Sequence, residues 1–585
     1  MTELLTPWGA DLDPDHVLTE YPRPQLVRDS YLNLNGHWDY AITDGGIADG
    51  EPTAYDGVIL VPFSPETPLS GVGRQLGPDQ TLWYRRTLRL PDGFRTGPAA
   101  RVLLHFGAVD QTCEVFVNGV AVGAHVGGYL PFHCDVTDAL TDGDNTLVVA
   151  VRDGTDTGHH SRGKQRTRRG GIWYSPQSGI WQTVWAECVP QTHVRRLTLT
   201  PRLDSDCVEI TVHADPDAPH ATVRVLDGDT VLGTATAAPN RPVCVPVPDA
   251  RRWSPDDPQL YDVTVTLGDD AVRSYVGMRS FGVGPGPDGT PRLLLNGEPY
   301  FHAGILDQGY WSDGWYTAPS DEAMIHDIAT MKRLGFTMLR KHIKVEPARW
   351  YYHCDRLGIL VWQDMVNGGG RYRPLVVTAP AVTPLRLSDR HHGWFGRADA
   401  EGREQFRVEL RETIEHLRNV VSIAVWVPFN EGWGQFDAAR IAAEVAALDP
   451  TRSVDHASGW HDQGAGDLRS LHVYFRPFRV PRRGRDRRVL VLSEYGGYSL
   501  PVAGHTTTER EFGYKRFADA EAFGAAFRRL HAEQIAPAMA RGLSATVYTQ
   551  LSDVEDEVNG LLTYDRRVLK VPEDLVREVN GQLRL

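Results

Sequence analysis

From about Tyr31 to Pro190, short runs rich in β-branched and aromatic residues alternate with turn residues: Leu82 to Leu90, Arg101 to Phe106, Thr112 to Asn118 and Thr146 to Arg152. Asn118-Gly119 and Asp142-Gly143 are tight-turn dipeptides. The stretch from Cys113 to Phe132 reads as a hairpin followed by a loop carrying His125 and Tyr129. Evenly spaced strands without helical periodicity predict a sandwich of the jelly-roll kind over residues 1–190. Its basic segment, His159 to Arg169, lacks the interleaved aromatics of a single-strand nucleic-acid binder and reads as a long loop laid against another domain. Residues 191–284 repeat the alternation on a smaller scale, in Arg196 to Thr200, Val208 to Val212, Thr222 to Leu226 and Tyr261 to Leu267. This predicts an immunoglobulin-like sandwich.

After Gly284-Pro285-Gly286-Pro287, read as a linker, the period changes. Strands now alternate with amphipathic helices, the pattern of a parallel sheet. Candidate strands are Phe301 to Ile305, Phe336 to Arg340, Ile359 to Gln363, Ser422 to Phe429, Ser453 to His456, Leu471 to Tyr474, Val489 to Ser493 and Ala545 to Gln550. Eight strands over residues 285–585 predict a C-terminal (β/α)8 TIM barrel. The helix between the first two strands carries Met324, Ile328, Met331 and Leu334 at helical spacing, with Ser320 as its N-cap and Gly335 as its stop.

Two strands end in an acid. The apolar run Ile423 to Pro428 stops at Asn430-Glu431, and Val489 to Ser493 stops at Glu494. Barrels of this kind place their chemistry on the loops at the carboxyl ends of the strands. A glutamate from strand four and one from strand seven are the pair that glycoside hydrolysis requires, about 5 to 5.5 Å apart for retention. One must hold its proton for the leaving oxygen, and the other must stay ionised to attack the anomeric carbon. Asn430 is placed to hold the sugar's 2-hydroxyl.

These motifs, in this domain order, resemble glycoside hydrolase family 2, the group of β-galactosidases, β-glucuronidases and β-mannosidases. The resemblance implies that Glu431 is the general acid/base and that Glu494, in S-E-Y-G, is the nucleophile. The stretch Asp355 to Asp364 is similar to the family's third barrel strand, and Tyr474 matches a position where an aromatic hydroxyl contacts the nucleophile. After strand two the chain reads L-R-K-H-I-K-V-E-P, keeping Arg340 and His342 but shifting the histidine relative to the family's R-x-S-H-Y-P. After strand one, where many members carry His-Glu-Asp, it reads L-D-Q-G-Y-W-S-D-G. Asp307, Gln308 and Trp311 are therefore candidates for the non-reducing-end pocket, with a different hydroxyl pattern. Further candidates for sugar contact are Asp364, Trp433, Trp460, His472, Tyr548 and Gln550, the last two as the pocket floor.

The implied activity is exo-acting, retaining hydrolysis of terminal β-linked sugars of the β-galactoside type, with β-galactofuranoside kept open by the altered loops. A β-glucuronidase, a β-mannosidase or a non-catalytic carbohydrate-binding protein are the alternatives. No cofactor or metal is required by this chemistry. The net charge of -14 favours solubility and argues against nucleic acid as a partner. The start of the chain lacks a basic n-region, and no apolar run reaches membrane-spanning length, so a cytoplasmic protein, with no membrane partner, is expected. A homo-oligomer is left open. Six scattered cysteines without ligand spacing read as buried free thiols. Two charge runs read as solvated loops: the arginine-rich Phe475 to Arg488, whose alternative is a grip on a substrate carboxylate, and the acidic Asp553 to Glu557, whose alternative is a cation site.

Overall fold

A computed structural model of the chain describes residues 4–95, 97, 99–482 and 484–585. The first sandwich sets a six-stranded antiparallel sheet against a four-stranded one. At the centre of the larger sheet Asp144–Arg152 pairs with both Gln80–Arg89 and Thr112–Val117. Val115, Val117, Leu147, Val149 and Val151 point inward to meet Val102, Leu104 and Phe106 of the smaller sheet. The period-2 pattern of the sequence is thus the inner face of the sandwich. The second sandwich packs a three-stranded sheet on a four-stranded one, and Tyr261–Leu267 alternates buried and outward positions along its length.

Two expectations change in this region. Cys207 and Cys244 form a disulfide across 37 residues of sequence, whereas Cys113, Cys134, Cys188 and Cys354 are buried thiols. Their strands are antiparallel neighbours, with Cys207 opposite Pro246, so Cys244 is its diagonal neighbour at a Cα separation of 5.8 Å. The stretch read as a linker is instead part of a hairpin: Gly284 and Pro285 pair with Arg292 and Pro291.

The barrel strands are β1 (His302–Asp307), β2 (Met338–Lys341), β3 (Leu360–Asp364), β4 (Ile423–Val427), β5 (Ser453–Val454), β6 (Leu468–Val473), β7 (Val489–Gly496) and β8 (Leu543–Thr549). They pair in parallel in the order β5-β4-β3-β2-β1-β8-β7-β6. Asp467 bridges the two ends, its N–H donating to Val454 O while its carboxylate accepts from Val454 N. The interior is filled by Leu306, Met338, Leu360, Trp362, Val425, Val427, Leu468, Val489, Val491, Ala545 and Val547. Helix α1 (Asp321–Arg333) starts on Ser320, whose hydroxyl accepts from Ala323 N. It ends before Gly335, at φ +84°, where a left-handed residue is needed.

The basic loop lies against the barrel. Arg162 N and Gly163 N both donate to Asn367 O, and Arg169 pairs with Glu555 at 2.8 Å. The acidic run that receives it is buried rather than solvated. Asp553 pairs with Lys570, Glu555 also accepts from Ser175 N, Asp556 accepts from Thr508, and Glu557 accepts from Tyr174 and Asn559. Buried carboxylates persist only when paired or hydrogen-bonded, and here the partners come from the first sandwich, the loop after β7 and the barrel's last loop. In the arginine-rich run, Arg483 lies outside the described residues. Arg476, Arg479, Arg482, Arg485 and Arg487 are exposed, and Arg488 pairs with Asp462 and Asp486. Among the described residues no helix is long and apolar enough to cross a membrane.

Candidate active site

Side chains on a strand alternate between the barrel's interior and its outer layer, so parity decides which strand-end residues meet at the mouth. On β2, Arg340 points inward and is fully buried. It donates to both Asp364 oxygens at 3.0 and 3.1 Å, to Asn430 Oδ1 at 2.9 Å, to Ser493 O at 3.0 Å and to Glu494 Oε1 at 3.1 Å. His342, two residues on, places Nδ1 2.7 Å from Asp364 Oδ2. One guanidinium thus ties the ends of β2, β3, β4 and β7 together, with the planar fork geometry that carboxylates match.

Glu431 follows β4 in a left-handed conformation, φ +50°, with Gly432 and Gly434 also at positive φ. A non-glycine residue there is strained and is held by its surroundings. Its N–H donates to Ser458 O at 3.0 Å, which turns the carboxylate back over the mouth. On β6, inward positions Ser470 and His472 follow Leu468, and His472 Nδ1 lies 2.8 Å from Glu431 Oε1 and 3.5 Å from Glu494 Oε2. Strict alternation along β7 would send Glu494 outward after Val489, Val491 and Ser493. The pairing of β7 with β8 instead slips between Leu492 and Tyr495, which brings Glu494 in and sends Tyr495 out against His531. The Tyr474 hydroxyl donates to Glu494 Oε2 and lies 3.0 Å from Thr549 Oγ1.

One oxygen of Glu431 and one of Glu494 lie within 4.8 Å of each other. Both residues are almost wholly buried, at 6% and 5% exposure. Burial pushes Glu431 up to about 8, opposed by Lys164 and Arg340 and assisted by Glu557. Burial also raises Glu494, and Glu431 adds to the rise, while His472, Arg340 and the Tyr474 hydroxyl oppose it. Burial drives His472 down to about 4, so it is neutral at neutral pH. Among the described residues, Asn430 Nδ2 and Trp433 Nε1 are buried polar atoms at the mouth without a partner. Glu431, His472 and Glu494 are also close enough together to ligate a cation.

Of the residues singled out in the sequence, Glu431, Glu494, Asn430, Arg340, His342, Asp364, His472 and Tyr474 converge here. Trp433 stands beside them, 6.1 Å ring to ring from His342, and half-buried Trp460 lies 6.3 Å from His472 at the rim. Gln308 and Gln550 bond to each other, in a chain that continues through Asn559 to Glu557. Three residues face away. Asp307 pairs with Lys341 behind the sheet, Trp311 lies under Arg566 and against Trp8, and Tyr548 packs among Tyr495, Phe527 and His531. Tyr548 is therefore not a pocket floor; its inward neighbours on β8 are Val547 and Thr549.

Sequence reasoning missed Lys164, Tyr174, Glu557 and Tyr514. Lys164, 5% exposed, reaches in from the first sandwich. Its ammonium lies 3.4 Å from Tyr174 Oη, 4.0 Å from Glu557 and 5.9 Å from the Trp433 ring. Tyr514 stacks on Tyr474 at 3.7 Å. The run of basic residues around Lys164 was the available signal, but nothing in it marks which cation turns inward.

Models of glycosyl hydrolases family 2 match the chain three times: the sugar binding domain over residues 74–178, the central domain over 192–279 and the TIM barrel domain over 292–482. The chain is 26% identical to a β-galactosidase of Klebsiella pneumoniae (strain 342), over 70% of this chain and 40% of that one. It is 25% identical to a β-galactosidase of Aeromonas hydrophila, over 80% and 45%. It thus spans under half the length of these curated relatives. In fold it is similar to a β-D-glucuronidase of Dictyoglomus thermophilum, with a TM-score of 0.73 at 17% identity over 96% of this chain and 98% of that one. It is also similar to a β-galacturonidase of Eisenbergiella tayi, with a TM-score of 0.70 at 20% identity over 97% and 98%. With sandwich, sandwich and barrel each matched in order, the chain belongs to glycosyl hydrolase family 2.

Proposed function

We propose that the protein is an exo-acting retaining β-glycosidase that removes a terminal sugar by double displacement. The observation that carries this reading is the carboxylate pair: oxygens within 4.8 Å, with Glu431 pushed up to about 8 and Glu494 held by Arg340 and Tyr474. In the first step a Glu494 oxygen forms a bond to the anomeric carbon. The bond to the leaving oxygen breaks, and that oxygen takes the Glu431 proton. In the second step the Glu431 carboxylate takes a proton from water, the water oxygen bonds to the anomeric carbon, and Glu494 leaves as carboxylate. Oxygens within 4.8 Å of each other suit retention, since inversion needs room for a water between the acids. Asn430, whose Oδ1 is fixed by Arg340, has its Nδ2 available to the sugar's 2-hydroxyl. Near-complete burial of the pair suits an end sugar rather than a mid-chain cleft.

A sugar of the β-galactoside type is the first reading, in keeping with the relatives named β-galactosidase. The second is a β-glucuronide, favoured by the buried Lys164 ammonium beside the pocket and by neighbours in fold named β-glucuronidase. A panel of nitrophenyl β-pyranosides and furanosides tests both, and hydrolysis of no β-linked member sinks the proposal. Retention is tested with Glu431→Ala and azide, which should give a β-glycosyl azide; an α-product would refute the double displacement.

A further inference from the structure

Beside Glu431, on the side that leads out of the barrel, three loops build an aromatic wall. Trp173 comes from the first sandwich, Tyr372 from the loop after β3 and Trp433 from the loop after β4. Trp173 lies 5.0 Å ring to ring from Trp433 and 5.9 Å from Tyr372, and Ile172, Ile343 and Val377 complete the cluster. Trp433 is buried, whereas Trp173 and Ile172 are half-exposed, so the wall runs from the pocket toward solvent. Over Trp173, 3.7 Å from the ring centroid, sits the guanidinium of Arg166, which is also 5.8 Å from Tyr372. Its backbone is fixed by a hydrogen bond from its N–H to Tyr174 O.

Two neighbouring arginines are occupied. Arg162 donates to the carbonyls of Gly369 and Gly370, and Arg169 pairs with Glu555. Among the described residues, Arg166 has neither an ion pair nor a side-chain hydrogen bond, although it is half-buried. A guanidinium stacked on an indole keeps its N–H edge open for a bidentate carboxylate. Among the described residues the wall's polar capacity is confined to its indole N–H groups, Trp433 Nε1 being buried without a partner, and the rest is apolar ring face. That suits a flat ring better than a sugar, whose hydroxyls need several partners.

We infer that Trp173, Tyr372 and Trp433 form a leaving-group subsite in which Arg166 binds the carboxylate of an aromatic acid. The inference rests on the retaining-glycosidase reading, which puts the leaving group on this side of Glu431. The preference for a carboxylate is then supplied by a loop of the first sandwich, 159–178, while two of the three rings come from barrel loops.

The test compares 3-carboxyumbelliferyl and 4-methylumbelliferyl glycosides of the sugar the enzyme accepts, using the full chain. The native enzyme should favour the carboxylated substrate in kcat/KM. Arg166→Gln should lower that ratio about ten-fold, the size of a lost charge-assisted hydrogen bond. Arg166→Lys should restore part of it, and Trp173→Ala should raise KM for both substrates. An unchanged ratio in Arg166→Gln overturns the inference. Binding of free 3-carboxyumbelliferone, followed by fluorescence, reads the subsite without turnover: affinity that falls in Arg166→Gln supports it, and equal affinity in both proteins overturns it. If no glycoside is cleaved but binding depends on Arg166, the site stands as one for aromatic carboxylates, while its leaving-group role falls with the glycosidase reading.

Discussion

Two buried ion networks sit back to back on the same strands, their cations supplied by consecutive residues. Arg340 faces the mouth and gathers Asp364, Asn430 and Glu494. Lys341 faces the outer layer and gathers Asp307 and Glu346, with Lys344 joining through Glu346. The outer network is closed. Lys341 also covers Trp350 of the helix Ala348–Leu357, and Lys344 donates to Gly309 O and Tyr316 O. The inner one is open, since Asn430 Nδ2 and Trp433 Nε1 at its edge have no partner among the described residues. Both are buried and both are charged, so neither property by itself marks a site. What separates them is the polar capacity left over for a ligand.

Substitutions on either side should therefore fail differently. The largest effect is expected for Glu494→Gln: kcat should fall by roughly 10⁴-fold or more with the fold retained, measured on activated aryl glycosides and by circular dichroism. Residual turnover near the native rate would remove Glu494 from the mechanism. Glu431→Gln should lower kcat/KM by about 10²- to 10⁴-fold on poor leaving groups and by much less on dinitrophenyl glycosides.

The pH profile follows from the same residue. Glu431 must carry its proton in the first step, and burial pushes its pKa up to about 8, so kcat/KM should fall as pH rises through about 8. The acid side should fall as Glu494 takes up a proton and ceases to be a nucleophile. Glu431→Gln should lose the alkaline limb, and a limb that persists there belongs to another group.

On the outer side, Asp307→Asn should cost about 3 kcal/mol of stability, because Lys341 keeps its buried charge with one partner fewer. Denaturant unfolding would show this as a lower midpoint, with kcat within about two-fold of native. A collapse of kcat in a folded Asp307→Asn protein would erase the contrast between the two networks. The smallest effect is expected at the seam between them and the first sandwich. Glu557→Gln weakens the hold on Tyr174 and Lys164 and should raise KM about three-fold with little change in kcat.

Much of the frame was legible in the pattern of apolar residues. All eight barrel strands lie where the alternation placed them, and Ser320 and Gly335 bound the first barrel helix as their side chains suggested. Asn430, Glu431 and Glu494 could be singled out because two strands, the fourth and the seventh, each end in a glutamate and one of these follows an asparagine; a lone acid at a strand end, such as Asp307, is a weak signal. Asp307, Trp311 and Tyr548 were misplaced because proximity to a strand end does not fix parity. Glu494 itself reaches the mouth only through a slip in the β7 register that no residue type announces. The disulfide joins strands whose pairing depends on the whole second sandwich. The acidic run looked solvated because its cations, Arg169 and Lys570, stand on other segments, one of them 386 residues away.

The loop 159–178 has a consequence for how the molecule can be divided. It is rooted in the first sandwich, is clasped by carboxylates of the barrel's last loop and carries Lys164 to the edge of the pocket. The barrel alone would leave Glu555 without Arg169 and Ser175 and Glu557 without Tyr174 and Lys164, and would present an unfinished pocket. In this chain the catalytic unit is larger than the catalytic domain. New substrate preferences can therefore arise by exchanging a sandwich loop while every barrel strand stays as it is.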